Sequence, residues 1–360
     1  MKRSGGFDCA LEQVVALHYS FSCDLPVVCW RPGRRELRIA TRAADAEHAM
    51  NSAELSFHQR LQPVGRILEL DGWFVWCCSA IDGPDGKVHL FCSRWPAELG
   101  MAGWSTDSEI VHAVSDRPEG PFELRDVALR GRGGEIWDAQ MVHNPTIHKV
   151  GVQYALIHIG NRDGRPFTQC IGLALSNWLD GPWRRFDQPI LRPSQRRAWD
   201  WLHVTNPALL QHPNGQFWLY YKSWDIRDNL FKMGLAIADR IEGPYEKHPA
   251  NPVVDYSALG KRMEDPYVFM QNGVFHMIMA DDNQGIVKQH GGIIVESRDG
   301  IRWAEPKLAY DTTDIYFGGK VERFERPQVL MRDGRPAYLY LAATGGRCGT
   351  SSPVCLRVRG

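Results

Sequence analysis

A proline-centred pattern recurs four times along the chain, and its spacing constrains the fold more than any other feature. The prolines follow one another at steps of 62, 59 and 61 residues. A repeat of this length, with strand-like sequence between its marks, is typical of a β-propeller. The marks are His-Asn-Pro-Thr at 143–146, Thr-Asn-Pro-Ala at 205–208, Glu-Asp-Pro-Tyr at 264–267 and Glu-Arg-Pro-Gln at 325–328.

Each unit of the repeat has the sequence of four short antiparallel strands. After a mark, an alternating apolar run leads through a turn such as His-Pro-Asn-Gly at 212–215 into a second apolar run. Turn residues between two runs of period two indicate a β-hairpin. A third run of small apolar residues follows and ends at a Gly-Pro-aromatic turn, as at 181–183 and 243–245.

The ends of the chain complete the count of units. A further unit starts at 76–81, and the last unit, from Phe324, stops one strand short. The segment 62–64, Gln-Pro-Val, resembles the fourth strands of other units, and we expect it to close the last sheet and cover its open edge. The sequence therefore predicts an all-β, five-bladed propeller with four-stranded antiparallel blades at 62–360. A short N-terminal extension, 1–61, is predicted to cap it or to form a homodimer contact.

Composition limits the partners of the chain. Its 42 basic and 42 acidic residues give a formal net charge of zero, which argues against nucleic-acid binding. No run of about 18 apolar residues predicts a membrane span. The acidic residues near the N-terminus argue against a signal peptide, so we expect a cytoplasmic protein with mostly reduced cysteines. No cofactor or catalytic metal is expected, and a structural cation in the central channel stays open.

The residues that precede the marked prolines are candidates for chemistry. If the marked strands are innermost, their first side chains converge at the mouth of the channel. Carboxylates that converge there, Glu264, Asp265 and Glu325, could cleave a glycosidic bond, because crowding of like charges keeps one of them protonated. Binding to the protein's own amides or to Arg326 is the structural alternative.

Other polar and aromatic residues in the same bands are candidates for substrate binding. Trp-Asp pairs six residues before two of the marks form a second repeat. A tryptophan could stack on a sugar ring, a histidine could act as acid or bind a hydroxyl, and the arginine could bind a substrate anion. Packing and ion pairing are the alternatives. The residues are Trp137, Asp138, His143, Asn144, Trp199, Asp200, His203, Asn206 and Arg326.

The five units, the Asp-Pro and Glu-x-Pro marks and the Gly-Pro-aromatic turns resemble the five-bladed glycoside hydrolases. The likeness is to family 43 and to its relatives in families 32, 62, 117 and 130, over about residues 62–358. In family 43 a base Asp and, two blades on, a tuning Asp each precede a proline, and an acid Glu follows one blade later. The resemblance implies Glu325 as acid and Asp265 as the tuning carboxylate, and it places Asn144 where the base should be.

An amide cannot accept a proton from water, so the resemblance leaves the base to be found. Asp138, on the approach to the strand, is our candidate. A second register starts one blade earlier with Cys78, Asn206 and Glu264, and it keeps Glu264 as a candidate acid.

The predicted function is a glycosidase, with inversion, that acts on plant or algal oligo- or polysaccharides. A phosphorylase, which needs no base, and a glycan-binding propeller without catalysis are the alternatives.

Overall fold

The computed structural model describes residues 55–165, 167–281, 285–318 and 323–360. The described residues belong to one compact unit, Glu54–Gly360. Residues 1–54 of the predicted N-terminal extension therefore lie outside the described residues, and the homodimer contact predicted for this segment stays a prediction. Within the described residues, no helix has the length and apolar character needed to cross a membrane.

Three sheets contain four antiparallel strands each, and in each sheet the strands pair in chain order. This confirms the predicted unit, since two hairpins supply the strands of every sheet. The first sheet contains β6 (Met141–Val150), β7 (Gln153–Asn161), β8 (Cys170–Ser176) and β9 (Arg184–Arg185); the second contains β10 (Thr205–Gln211), β11 (Phe217–Asp225), β12 (Leu230–Ala238) and β13 (Glu246–Lys247); the third contains β14 (Glu264–Gln271), β15 (Val274–Ala280), β16 (Gly292–Ser297) and β17 (Lys307–Tyr310).

The remaining strands form an eight-stranded sheet with two halves. A parallel pairing of Phe74 with Ser351 joins the halves. One half contains β2 (Trp73–Asp82), β3 (Val88–Pro96), β4 (Glu109–Ser115) and β5 (Glu123–Leu129); the other contains β18 (Phe324–Arg332), β19 (Arg335–Gly345), β20 (Thr350–Val358) and β1 (Leu61–Arg66).

Strand β1 closes the last half-sheet, as the sequence predicts. Gln62 pairs with Arg357 and Pro63 with Leu356, so a segment from the start of the described chain covers the edge of its last strand. Pairing of the two ends removes an open sheet edge. Two short helices, α1 (Trp104–Asp107) and α2 (Thr313–Phe317), lie in the connections.

Among the described residues, five clusters of buried apolar side chains lie between successive sheets. Ile157 and Leu173 pack against Leu219 between the first and second four-stranded sheets. Similar clusters join the second sheet to the third, the third to β18–β20, β18–β20 to β2–β4, and β3–β4 to the first sheet. The last of these clusters joins back to the first four-stranded sheet, so the sheets form a closed circle. The first strand of every unit therefore lies around one centre.

Candidate functional site

Five residues, one from each first strand, form a ring at this centre, and hydrogen bonds join four of its five neighbouring pairs. All are buried, with 5% or less of their surface exposed. They are Cys77 of β2, Asn144 of β6, Asn206 of β10, Asp265 of β14 and Arg326 of β18.

The contacts follow the order of the sheets. The Cys77 thiol donates to Oδ1 of Asn144 at 2.5 Å, and Nδ2 of Asn144 donates to Oδ1 of Asn206 at 2.8 Å. Nδ2 of Asn206 donates to Asp265, which also accepts from the Arg326 guanidinium at 3.2 Å and from the Arg326 backbone N–H at 3.1 Å. Arg326 and Cys77 are the remaining neighbours in the ring, and burial raises the pKa of the Cys77 thiol against the smaller, opposing effect of the positive charge of Arg326. All these contacts are within the protein. The side chains predicted to bind substrate or to take part in catalysis therefore hydrogen-bond one another, namely Asn144, Asn206, Asp265 and Arg326.

The ring depends on an irregularity shared by all five strands. Each strand shifts its pairing register at the ring residue, and each ring residue has a positive φ, between 48° and 59°. Bulges redirect side chains, and Asn and Asp tolerate this left-handed conformation better than other residues with a side chain. The recurrent Asn-Pro and Asp-Pro marks are therefore the sequence signal of the bulge.

On each of these five strands, the residue just before the ring residue belongs to a second group of side chains. Trp76, His143 and Thr205 of this group are buried. Glu264 and Glu325 each expose 25% of their side chain. The two carboxylates that water can reach near the ring thus come from the neighbouring strands β14 and β18.

Glu264 lies among positive charges. Oε2 of Glu264 is 2.5 Å from Nζ of Lys222 on β11, and the Lys222 ammonium lies 4.3 Å from the ring centre of Phe231. Burial raises the pKa of Glu264, but Lys222, Arg262 and Arg323 outweigh it and hold the pKa below its ordinary value. Glu264 is therefore ionised at neutral pH.

Glu325 has a different environment. Its Oε1 lies 3.4 Å from Nη1 of Arg323, the residue two positions earlier. Tyr310 of β17 lies close by: burial raises the pKa of its phenol well above the usual range, and Asp265 and Glu325 raise it further. Tyr310 is thus a neutral hydroxyl near both Asp265 and Glu325.

The two predicted histidines are near the ring but buried and neutral. His143 is 2.8 Å from the Ser108 hydroxyl and packs beside Trp104; burial and then Arg326 lower its pKa well below the usual value. Burial and then Lys222 lower the pKa of His203 to about 3. Neither ring nitrogen of His203 has a hydrogen-bond partner among the described residues, and Phe167 stacks on the ring. Neither histidine carries a proton for acid catalysis at neutral pH.

The two Trp-Asp pairs have one structural arrangement, repeated in neighbouring sheets. Asp138 is fully buried and forms ion pairs with Arg132, at 2.8 Å, and with Arg185 of β9. Asp200 is equally buried and accepts from Tyr221 at 2.8 Å and from Lys247 of β13 at 2.6 Å. In both sheets the aspartate therefore binds a cation on the outermost strand.

The tryptophans of these pairs pack on the same sheets. Trp137 stacks on His158 with ring centres 5.8 Å apart, and Trp199 stacks on Tyr221 at 5.9 Å. A Cβ at Gly172 would lie 2.3 Å from the Trp137 ring, so the third-strand glycine makes room for that ring. The structure therefore does not bring Asp138, Asp200, Trp137 and Trp199 to the ring, and it gives Asp138 a different task from the predicted base.

Two contributors are missing from the sequence predictions. Cys77 is a ring member without a proline mark, and burial raises the pKa of its thiol to about 12, so it is a neutral donor. Lys222 lies on a second strand, where its signal is a lone lysine in the apolar run 217–224. A charged residue in such a run is a signal that could have been used.

The chain matches no protein-family model and no curated protein sequence. Solved structures are similar to it. A family 117 glycoside hydrolase from the marine bacterium Zobellia galactanivorans has 18% identity and a TM-score of 0.64, over 82% of this chain and 90% of that chain. A family 43 β-xylosidase/α-arabinofuranosidase from a compost microbial metagenome has 13% identity and a TM-score of 0.58, over 82% and 93%.

A protein solved in a complex with RGII has 15% identity and a TM-score of 0.65, over 83% of this chain and 92% of its own length. The resemblance predicted from the marks and turns is confirmed at the level of the fold. The chain has the β-propeller fold of these glycoside hydrolases.

Proposed function

We propose that the chain is a five-bladed propeller glycoside hydrolase in which Glu325 is the general acid and Glu264 the general base. The observation that carries the proposal is the pair of partly exposed glutamates that each precede a ring residue, on the neighbouring strands β14 and β18. Glycosidic cleavage needs two carboxyl groups on either side of one bond. The fold supports the assignment, because propeller glycosidases are among its structural neighbours.

The reaction follows from these positions. The Glu325 carboxyl donates its proton to the leaving oxygen as the bond from that oxygen to the anomeric carbon breaks. Glu264 accepts a proton from a water molecule, whose oxygen attacks the anomeric carbon from the opposite face, so the product has inverted configuration. Each turnover leaves the proton on Glu264, and exchange with solvent restores the starting state.

The charge around Glu264 suits a base better than an acid. Lys222 binds the ionised carboxylate and lowers its pKa, and a carboxylate already ionised can take a proton from water but has none to give. This replaces two of the sequence assignments: Glu264 becomes the base instead of a candidate acid, and Asp138 is no longer needed as base.

The ring positions this pair. Asp265 adjoins Glu264 in sequence and binds both the side chain and the backbone N–H of Arg326, the residue after Glu325. We assign Asp265 a positioning and electrostatic role, consistent with its predicted tuning function.

A screen of aryl glycosides and oligosaccharides tests the proposal, starting with xylosides, arabinofuranosides and RGII fragments because of the neighbours. We expect Glu264→Gln and Glu325→Gln each to reduce hydrolysis about 10²- to 10⁴-fold. Glu246→Gln, on the exposed outer strand β13, is the control and should retain full activity. NMR of the first-formed anomer reports inversion. Equal activity in all variants, or oligosaccharide binding without turnover, would refute the proposal, and the latter would favour the glycan-binding alternative.

A phosphorylase is the second candidate, because Lys222, Arg262 and Arg323 all act on Glu264. Such a cluster of cations could hold phosphate as the nucleophile. Product formation that requires inorganic phosphate and yields a sugar phosphate would favour this candidate over hydrolysis.

A further inference from the structure

A cluster of histidines and aspartates lies apart from the ring, where two sheets meet. His89 of β3, His112 of β4 and Asp126 of β5 lie side by side across one sheet, and Asp180 comes from the turn after β8 of the next sheet. The histidines are buried, at 4% and 1% exposure. The aspartates are exposed, so the cluster opens to solvent on their side.

A line of hydrogen bonds fixes the protons on both imidazoles. Nε2 of His89 lies 3.1 Å from Oδ1 of Asp85, and Nδ1 of His89 lies 2.8 Å from Nε2 of His112. An ionised carboxylate only accepts, so His89 donates from Nε2, and with one proton on each ring His89 accepts at Nδ1 from Nε2 of His112. The neutral His112 ring therefore presents a bare lone pair at Nδ1.

That lone pair faces two carboxylates. Nδ1 of His112 is 3.6 Å from Oδ1 of Asp180 and 3.7 Å from Oδ1 of Asp126, and it has no hydrogen-bond partner among the described residues. Both distances exceed a hydrogen bond. They match the separation of two ligands that share one metal ion, about 3.5 Å for bonds of about 2.1 Å.

We propose that His112 Nδ1 and Asp180, joined by Asp126 through a rotation of its exposed side chain, bind a divalent transition metal ion, with water completing the coordination. One imidazole and two carboxylates suit Zn²⁺ or a similar ion, whereas Mg²⁺ and Ca²⁺ prefer oxygen ligands alone. His89 and Asp85 position the ligand, since a metal-bound histidine usually donates its other N–H to such a partner. Because Asp180 belongs to the next sheet, the ion would link two sheets and stabilise the ring of sheets.

Calorimetry with the full-length, chelator-treated protein tests the site. We expect ZnCl₂ to bind with one site that Asp180→Asn and Asp126→Asn each weaken at least tenfold, whereas MgCl₂ should not bind there. Both changes are at exposed carboxylates, so the fold should survive them. Asp116→Asn, an exposed aspartate of the same sheet, is the matched control and should bind as the original protein does.

A second measurement separates this site from cysteine ligands elsewhere in the chain. Co²⁺ bound by one nitrogen and oxygens lacks the intense thiolate absorption near the ultraviolet, and Zn²⁺ should raise Tm in the original protein but not in Asp180→Asn. His89→Gln, a positioning variant, should weaken binding about 10- to 100-fold. Zn²⁺ binding that is absent, or equal in Asp180→Asn and the control, would overturn the proposal.

Discussion

Lys222 reaches from β11 of one sheet to Glu264 on β14 of the next, with Nζ of the lysine 2.5 Å from Oε2 of the glutamate. The lysine side chain is 10% exposed and the glutamate side chain 25%, so solvent screens this ion pair only partly. The contact links the chemistry of Glu264 to the packing of two sheets.

Removal of the lysine charge should change the pH dependence of catalysis. Lys222 holds the pKa of Glu264 down, so Lys222→Met should raise that pKa and move the acidic limb of the kcat/KM profile to higher pH by about one unit or more. Lys222→Arg keeps the charge and should restore most of the original profile. Lys149→Met, at an exposed site, serves as control; an acidic limb that stays in place in Lys222→Met would exclude Glu264 as the base.

The ring should be a major source of stability. Asp265→Asn leaves the Arg326 guanidinium buried without a carboxylate partner, and loss of one member of a buried pair typically costs about 3–5 kcal/mol. Chemical denaturation should show this loss in the free energy of unfolding. Asp239→Asn, at an exposed position, should leave stability within about 0.5 kcal/mol of the original. A similarly small effect of Asp265→Asn would mean that the ring contributes little.

Asp138 should affect folding and not proton transfer. Asp138→Asn breaks the pairs with Arg132 and Arg185, and we expect a loss of about 3–5 kcal/mol in the free energy of unfolding. Asp200→Asn, which removes the corresponding contact with Lys247, should behave alike. Folded Asp138→Asn protein should keep the original shape of the pH profile; loss of its acidic limb would return Asp138 to the role of base.

Stability should fall in mild acid because several histidines are buried in the neutral form. Burial and then Arg185 lower the pKa of His158 to about 3, so the unfolded chain binds a proton below about pH 6.5 that the folded protein excludes. The free energy of unfolding should therefore decrease from about pH 6.5 towards pH 3, by up to about 1.4 kcal/mol per pH unit for each such histidine.

His158→Gln removes one of these groups and should reduce that slope by about the same amount between pH 6 and pH 4. Urea unfolding at several pH values measures it. His58→Gln, near the start of the described chain, is the control. An unchanged slope in His158→Gln would show that His158 is protonated in the folded state.

Local sequence signals predicted much of the architecture. Hairpin turns and period-two runs located the strands, and the segment 62–64 was correctly predicted to pair with the last strand. These features depend on neighbouring residues or on the need to cover a sheet edge. The four proline marks also located four of the five ring residues, three of them Asn or Asp, because the left-handed bulge favours those two residue types.

Contacts between sheets could not be predicted in the same way. Cys77 occupies the fifth ring position without a proline mark, and Lys222 meets a glutamate 42 residues away. The Trp-Asp repeat was visible in the sequence, but only the structure shows that its aspartates form ion pairs with cations on outer strands. Spacing alone does not show toward which side of a sheet a residue before the first strand lies.

The sequence by itself determined the strands, their grouping into repeats and the residue types at each bulge, because these follow from local backbone preferences and hydrophobic alternation. Only the tertiary structure decided which side chains face one another. The closed circle of sheets brings five bulges to one centre, where buried Asp265 and Arg326 bind each other, whereas Glu264 and Glu325 are partly exposed to water. Asp265 and Arg326 differ from Glu264 and Glu325 in their burial and in the charges around them. Both differences arise only when the sheets pack together.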